Sequence, residues 1–381
     1  MDNNRLSKDL FVLKEKQNDD VDKISRPSTT FLQDATRSLL RNIPAMVSIV
    51  ALLVIIIMSF IGPKMNDYGY DDQDLSRAKM PARIQLFEDI SWLGFAGTLS
   101  GTFEGATVEE ATQNALSRYG GNEEFIDIEI KNEGNGTKDS AKVDATYRIY
   151  EAKDMEESYF WFGTDSLGRD QWTRAWQGTK ISLYIAFLAA AIDLVIGVAY
   201  GGISAYYGGR VDNVMQRIIE ILIGIPNLVV VILMIIILKP GIISITIALT
   251  ITGWIGMARI VRGEVLKLKN QEFVLASRTL GSPDRKIIMR HLIPNVTGLI
   301  IINTMFTIPS AIFFEAFLSF IGLGLAPPEA SLGTLIESGF KSLQIYPYML
   351  VFPAILISII MIAFNILADG LRDAFDPKMH D

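Results

Sequence analysis

The chain has 381 residues, 50% of them hydrophobic, a formal charge of −7 and a positive mean hydropathy; this is high for an ordinary soluble globular domain, and the acidic balance gives no support for nucleic-acid binding. It has no cysteine, which excludes disulfides, thiolate metal sites and a cysteine nucleophile, and its two histidines, His291 and His380, are too few and too far apart to suggest a metal site. Charged residues collect in the N-terminal segment, over 64–174, over 272–295 and at the tail, a segregation that marks a polytopic membrane protein.

Residues 1–28 are polar and of mixed charge and read as a flexible cytoplasmic tail. Over 29–41, Phe31, Leu32, Ala35, Leu39 and Leu40 fall at helical spacing with Arg37 and Arg41 among them, so 1–42 divides into a tail and a helix lying in the membrane interface. Residues 43–61 are the first span, close to the ~20 apolar residues a bilayer needs; the run starts too late for the usual ~15–30-residue signal peptide.

Residues 62–177 are polar, acidic and long enough to fold. Thr107 and Glu110 form a capping-box pattern, and the helix they open carries Val108, Ala111, Ala115, Leu116 and Tyr119 before Gly120 and Gly121. Residues 125–130 and 141–150 alternate around turn material at 132–137, with Ile126, Ile128 and Ile130 on one face, which predicts a β-hairpin. This is a small α/β insert outside the cell, either a surface for a substrate-delivering protein or a structural decoration. In 161–176 (WFGTDSLGRDQWTRAW), Asp165, Arg169 and Asp170 can form a local ion pair and a helix cap, and the tryptophans suit a membrane interface. With no GK[ST] ending it is not a phosphate loop.

Five more apolar runs, 181–206, 214–238, 242–263, 296–322 and 348–368, complete a five-helix part over 178–368 and six spans in all. Residues 369–381 are a second polar tail. Between the fourth and fifth runs lies a basic elbow, EFVLASRTLGSPDRKIIMRHLIPN. A helix is expected from Glu272 to Leu280, stopped by Gly281 in the left-handed conformation, and then a second helix capped by Ser282, with Pro283 at its first position and Asp284 at its positive end. On charge alone this is an ordinary cytoplasmic loop. The elbow and Arg210 with Arg217 are basic while the other short loops are not, so the elbow and both termini face the cytoplasm and the insert lies outside.

Charges inside spans are expensive and usually have a reason. Asp193 is mid-span, Glu220 lies near the start of the third run, and Glu315 lies in the fifth beside the uncharged polar residues Asn303 and Ser319. These either line a watery path or hold the bundle together by pairing, and for any single residue pairing is the better reading; Asn303, Glu315 and Ser319 are the candidates for a pathway lining. Gly197 and Gly201 suit helix packing, and Pro226 and Pro309 can break helices. No catalytic set or nucleotide loop is present, so the chain is not expected to be an enzyme.

The triplet Leu275, Ala276, Ser277, then Gly281 four residues on, then Ile293 and Pro294, resembles the EAA loop of bacterial ABC-importer permeases. Leu275 stands where that motif has Glu, and Ser277 where it has its second alanine. GTDSLGRD (Gly163, Thr164, Asp165, Gly168, Arg169, Asp170), SFIGLG and the ending DGLRDAFDPK are similar to the C-type membrane subunit of oligopeptide and dipeptide importers. The resemblance covers most of 31–378 and is weakest over 101–154, where the insert is larger than the family leads one to expect. It implies an all-α polytopic protein with the six-helix type I importer permease fold and an extracytoplasmic α/β insert between helices 1 and 2. It implies a bacterial plasma-membrane location and half of a peptide pathway, with membrane lipid, a second permease, two ATPase subunits and an extracytoplasmic peptide-binding protein as partners. ATP and Mg would be bound by the ATPase subunits and no cofactor by this chain. The coupling helix would be 272–281, with Glu272, Leu275, Ala276, Ser277, Gly281, Asp284 and Arg285 as coupling residues. Importers of the same type for nickel or glutathione, a membrane-anchored sensor and a secondary transporter are the alternatives; a secondary transporter favours internal repeats, and none is visible here.

Overall fold

The computed structural model describes residues 31–88, 94–120, 122–134 and 140–375. The expected tail at 1–28, Gly121, part of the 132–137 turn and the last residues of DGLRDAFDPK lie outside the described residues.

Two helices open the chain. α1 (Phe31–Arg41) packs on α2 and on the last helix, and α2 (Ile43–Ile61) is the first span. The Asn42 side chain caps α2 by accepting from the Ala45 amide at 3.1 Å, and a proline, harmless where no helical N–H is needed, sits in the first turn. Ala45, Ser48, Leu52, Ile55 and Ser59 form its buried stripe, while Val47, Val50, Val54 and Ile57 face outward, as lipid contact demands.

The insert has the expected helix, α3 (Val108–Tyr119), stopped by Gly120 at φ +100°. It packs on a three-stranded antiparallel sheet of order β1–β3–β2, made of β1 (Leu99–Gly105), β2 (Ile126–Asn132) and β3 (Ala141–Tyr147). β1 is additional to the expected hairpin. β3 stops at Tyr147, not at residue 150, because the chain turns there into the short α4 (Ile149–Ala152). Of the isoleucines on β2 only Ile126 is buried, since β2 is an edge strand; Ile128 and Ile130 stay exposed. Met80, Leu99, Ile149, Tyr150 and Phe160 tie the insert to the loop that leads into the membrane.

α5 (Gln171–Tyr207) has 37 residues, roughly 55 Å, and so outruns the ~30 Å hydrocarbon core. It packs closely on α8 (Ile242–Leu268): a Cβ on Gly197 would stand 2.6 Å from Met257 Cβ, and one on Gly201 2.3 Å from the Ala258 carbonyl. The third span is not the continuous helix expected over 214–238. It divides into α6 (Gly209–Ile223) and α7 (Asn227–Leu238), bent by 79°. Pro226 causes the break, because it has no N–H and disfavours helical geometry at the residue before it. Among the described residues five helices are long and apolar enough to span a membrane on their own, and six spans result if the bent pair counts as one.

After α8 come the elbow helices α9 (Glu272–Thr279) and α10 (Asp284–Ile287), then one π turn (Ile288–Leu292) that continues into α11 (Ile293–Phe320). α12 (Leu332–Lys341) is capped reciprocally by Ser331 and Thr334, and α13 (Tyr348–Phe375) is the last span. The main core lies among α2, α5, α11, α12 and α13, around Ile308, Ile312, Leu332, Leu335 and Ile360.

Candidate functional site

Three clusters carry the expected residues. The first is the elbow. Val274 alone in α9 is fully buried, and it joins Ile287, Leu292, Val261, Val265 and Val296 in one apolar cluster. Phe273, Leu275 and Ala276 are exposed, and Leu280 is 86% exposed. Gly281 adopts φ +77° with nothing near the place a Cβ would occupy, so its role is conformational. Ser282 does not cap α10: Pro283 holds the cap position, and its carbonyl accepts from the Lys286 and Ile287 amides. Asp284 accepts instead from the Tyr206 hydroxyl at 2.6 Å, and the Arg278 guanidinium lies 5.1 Å from the centre of the Tyr206 ring. The Lys269 ammonium donates to the Ala205 carbonyl at 2.7 Å. Both elbow helices are thus fixed to the end of α5. Arg262 grips Asp212 with two bonds of 2.7 Å, and Ser204 donates to the same carboxylate, so α6 is clamped to α5 and α8 at the same level. Glu272, Ser277 and Arg285 lie on the same structure, with Glu272 and Arg285 exposed. Tyr206, Asp212 and Arg262 escaped the sequence reading because their partners lie far along the chain.

The second cluster is the GTDSLGRD turn, which is a structural knot. The Thr164 hydroxyl donates to the Arg77 carbonyl at 2.5 Å and accepts from the Met80 amide at 2.8 Å. The Asp165 carboxylate accepts from the Leu167 and Arg169 amides and from the Arg169 guanidinium at 2.7 Å, while Arg174 lies 3.8 Å away. Asp170 caps α5 by accepting from the Thr173 amide at 2.8 Å and also accepts from Asn66. Burial raises the Asp170 carboxyl above the usual range, against those hydrogen bonds. Gly168, at φ +73°, has no room for a Cβ, which would stand 1.8 Å from the Asp74 carbonyl; at Gly163, with φ +76°, a Cβ would stand 2.5 Å from the Met80 carbonyl and from the Tyr348 ring. The knot joins the segment before α5, α5 itself and the start of α13, whose Tyr348 donates to the Thr164 carbonyl.

The third is a cavity of about 360 Å³ within the membrane part, walled by α5, α8 and α11 and the start of α7. Asn303 lines it, together with Asp193, Asn227, Thr252, Thr307 and Ser310. Glu315 and Ser319 do not. Glu315 is 0% exposed and accepts from Ser182 at 3.1 Å and from Ser319 at 2.9 Å, and Ser182 in turn accepts from the Leu332 amide. That carboxylate holds α5, α11 and α12 together. Among the described residues no group of acidic and histidine side chains is placed to hold a metal ion.

Residues 194–381 match a family model described as the binding-protein-dependent transport system inner membrane component, and residues 30–82 match the N-terminal TM domain of oligopeptide transport permease C. The dipeptide transport system permease protein of Bacillus subtilis is 38% identical over 377 residues, covering 99% of this chain and 95% of that protein. Its counterpart in Lactococcus lactis subsp. cremoris is 40% identical, with 98% of each chain covered. The oligopeptide transport system permease protein of Bacillus subtilis is 53% identical over 219 residues, covering 58% of this chain and 72% of that one. The two nearly full-length alignments run through the insert.

Proposed function

The chain belongs to the family of binding-protein-dependent importer permeases for peptides, a set of multi-pass inner-membrane proteins, and from that membership we propose that it forms half of a peptide pathway and couples that pathway to ATPase subunits through the elbow. The observation that carries the coupling is the state of α9. Val274 pins this short helix to the bundle, while Phe273, Leu275, Ala276 and Leu280 stand exposed on a polar, basic loop. An apolar surface outside the lipid-facing belt calls for a protein partner. The Arg278–Tyr206–Asp284 contacts and the Asp212–Arg262 pair connect that surface to α6 and to α5 and α8, the last two of which run up to the cavity.

In this reading the elbow faces the cytoplasm with both termini, and the insert faces outward toward a peptide-binding protein. ATP closes a pair of ATPase subunits; α9 and α10 move with them, and the spans tilt so that the cavity opens to the outside. This chain contributes no ATP chemistry, and a related permease supplies the other wall.

The test is purification in mild detergent from the native membrane, with ATP hydrolysis assayed on the eluate. We expect ATPase subunits and a second permease to copurify, with hydrolysis stimulated by peptide-loaded binding protein. A solitary chain, under conditions that keep a known importer whole, would refute the reading and return the elbow to an ordinary basic loop. Competition for uptake by peptides, and not by glutathione or nickel, checks the solute.

A further inference from the structure

We propose that Asp193 is a cation-binding residue on the solute's route, receiving the side-chain ammonium of a lysine-bearing peptide in transit; this deepens the importer reading and rests on it. Asp193 lies on α5, about 33 Å along the helix from Gln171 and about 21 Å from Tyr207, and so well inside the membrane part. It is 5% exposed and lies on the cavity wall. Its Oδ1 has no hydrogen-bond partner, and among the described residues no cation pairs with the carboxylate. The other carboxylates singled out in the spans differ: Glu315 is held by serines and Glu220 pairs with Arg217. An unpaired buried carboxylate costs several kcal/mol and is retained where it has a function.

The rest of the wall indicates what the carboxylate receives. Asn303 donates its amide to the Leu299 carbonyl, Thr307 its hydroxyl to the Asn303 carbonyl, and Ser310 its hydroxyl to the Phe306 carbonyl. Thr252 donates to Asn227 Oδ1. The three hydroxyl hydrogens are spent inside the wall, so the Thr252, Thr307 and Ser310 oxygens are left as acceptors, while the Asn227 side-chain amide and one hydrogen of Asn303 remain as donors. A carboxylate among acceptor oxygens complements a primary ammonium, which carries three donors and a charge. Gly253 makes the place for it: a Cβ at that position would stand 2.4 Å from Asp193 Oδ2, so any larger residue there displaces the carboxylate.

The experiment uses the whole complex in vesicles with its binding protein, and compares uptake of trilysine with that of trialanine. The binding protein is common to wild type and variant, so its own preference cancels in their ratio. In Asp193→Asn the trilysine-to-trialanine uptake ratio is expected to fall about tenfold, while binding-protein-stimulated ATP hydrolysis persists. Gly253→Ala, which keeps the charge and moves it, is expected to lower the same ratio. A wild-type complex that imports peptide, with the ratio unchanged in both variants, would overturn the proposal. So would an Asp193→Asn chain that fails to assemble beside a Gly253→Ala complex of normal ratio, because Asp193 would then be a packing group. A wild-type complex that imports neither peptide sinks the importer reading and this proposal with it, which separates the two failures.

Discussion

At the scale of single residues, two buried carboxylates in the spans have opposite surroundings. Asp193 has an unpartnered oxygen at a cavity wall, and Glu315 is saturated in a closed joint between α5, α11 and α12. Replacing Glu315 by Gln therefore tests packing and not transport. Both serines donate to the carboxylate, and an amide offers only one oxygen and brings two donors of its own. One serine must turn, or one donor must stay unsatisfied, at a cost of about 1–3 kcal/mol. The expected outcome is a lower melting temperature in detergent and less assembled complex, with uptake per assembled complex unchanged. A variant of normal stability but impaired uptake would give Glu315 a direct part in the pathway. The sequence shows that Asp193, Glu315, Asn303 and Ser319 are polar groups within apolar runs, but not what they touch: Ser182 lies 133 positions from Glu315, and Gly253 is a bare gap until α8 is laid on α5.

At the scale of elements, the elbow is an exposed helix on a firm base. Ala276 is on the exposed face, so Ala276→Trp removes no contact within the chain and is expected to cost no more than about 0.5 kcal/mol of stability, as most surface changes do. If α9 docks on an ATPase subunit, the added ring blocks that docking, and both copurification and uptake are lost in a normally inserted protein. Gly281→Pro acts differently: its φ of +77° is closed to proline, so the turn between α9 and α10 is rebuilt and the two helices lose their fixed angle. Unchanged uptake and unchanged copurification in both variants would show that the elbow does not couple. The helix, the glycine stop and the second helix were legible from residue chemistry, because each depends on neighbours within a few positions. The break at Pro226 was legible only as a possibility, since an apolar run of the right length hides a bend. Strand β1 escaped because LSGTFEG carries two glycines and one large apolar pair; it is a strand because β3 supplies its partner, with Phe103 opposite Val143.

At the scale of the whole molecule, the insert joins the permease as a module with a closed neck. Register places Leu99 opposite Tyr147, so the two strand ends that enter and leave the sheet lie about 5 Å apart. The neighbouring cluster of Met80, Ile149, Tyr150 and Phe160 belongs to the base, and the Tyr150 hydroxyl donates to the Pro81 carbonyl at 2.8 Å. Removing 101–154 would take Tyr150 and Ile149 with it and damage the knot's surroundings, so a loss of uptake would not distinguish contact from collapse. Removing 100–146 and closing the gap with a short glycine-serine linker leaves that base in place. Among the described residues the hydrogen bonds and ion pairs of the spans, the elbow and the GTDSLGRD knot use none of the excised residues, and of the excised side chains Tyr119 packs against the base; the shortened chain is expected to assemble with its ATPase subunits. If the insert receives the binding protein, the shortened complex keeps basal ATP hydrolysis but loses both its stimulation by loaded binding protein and its peptide uptake. If stimulation and uptake persist, the sheet is decoration, and the receiving surface must lie on the loops beside α12 and the knot.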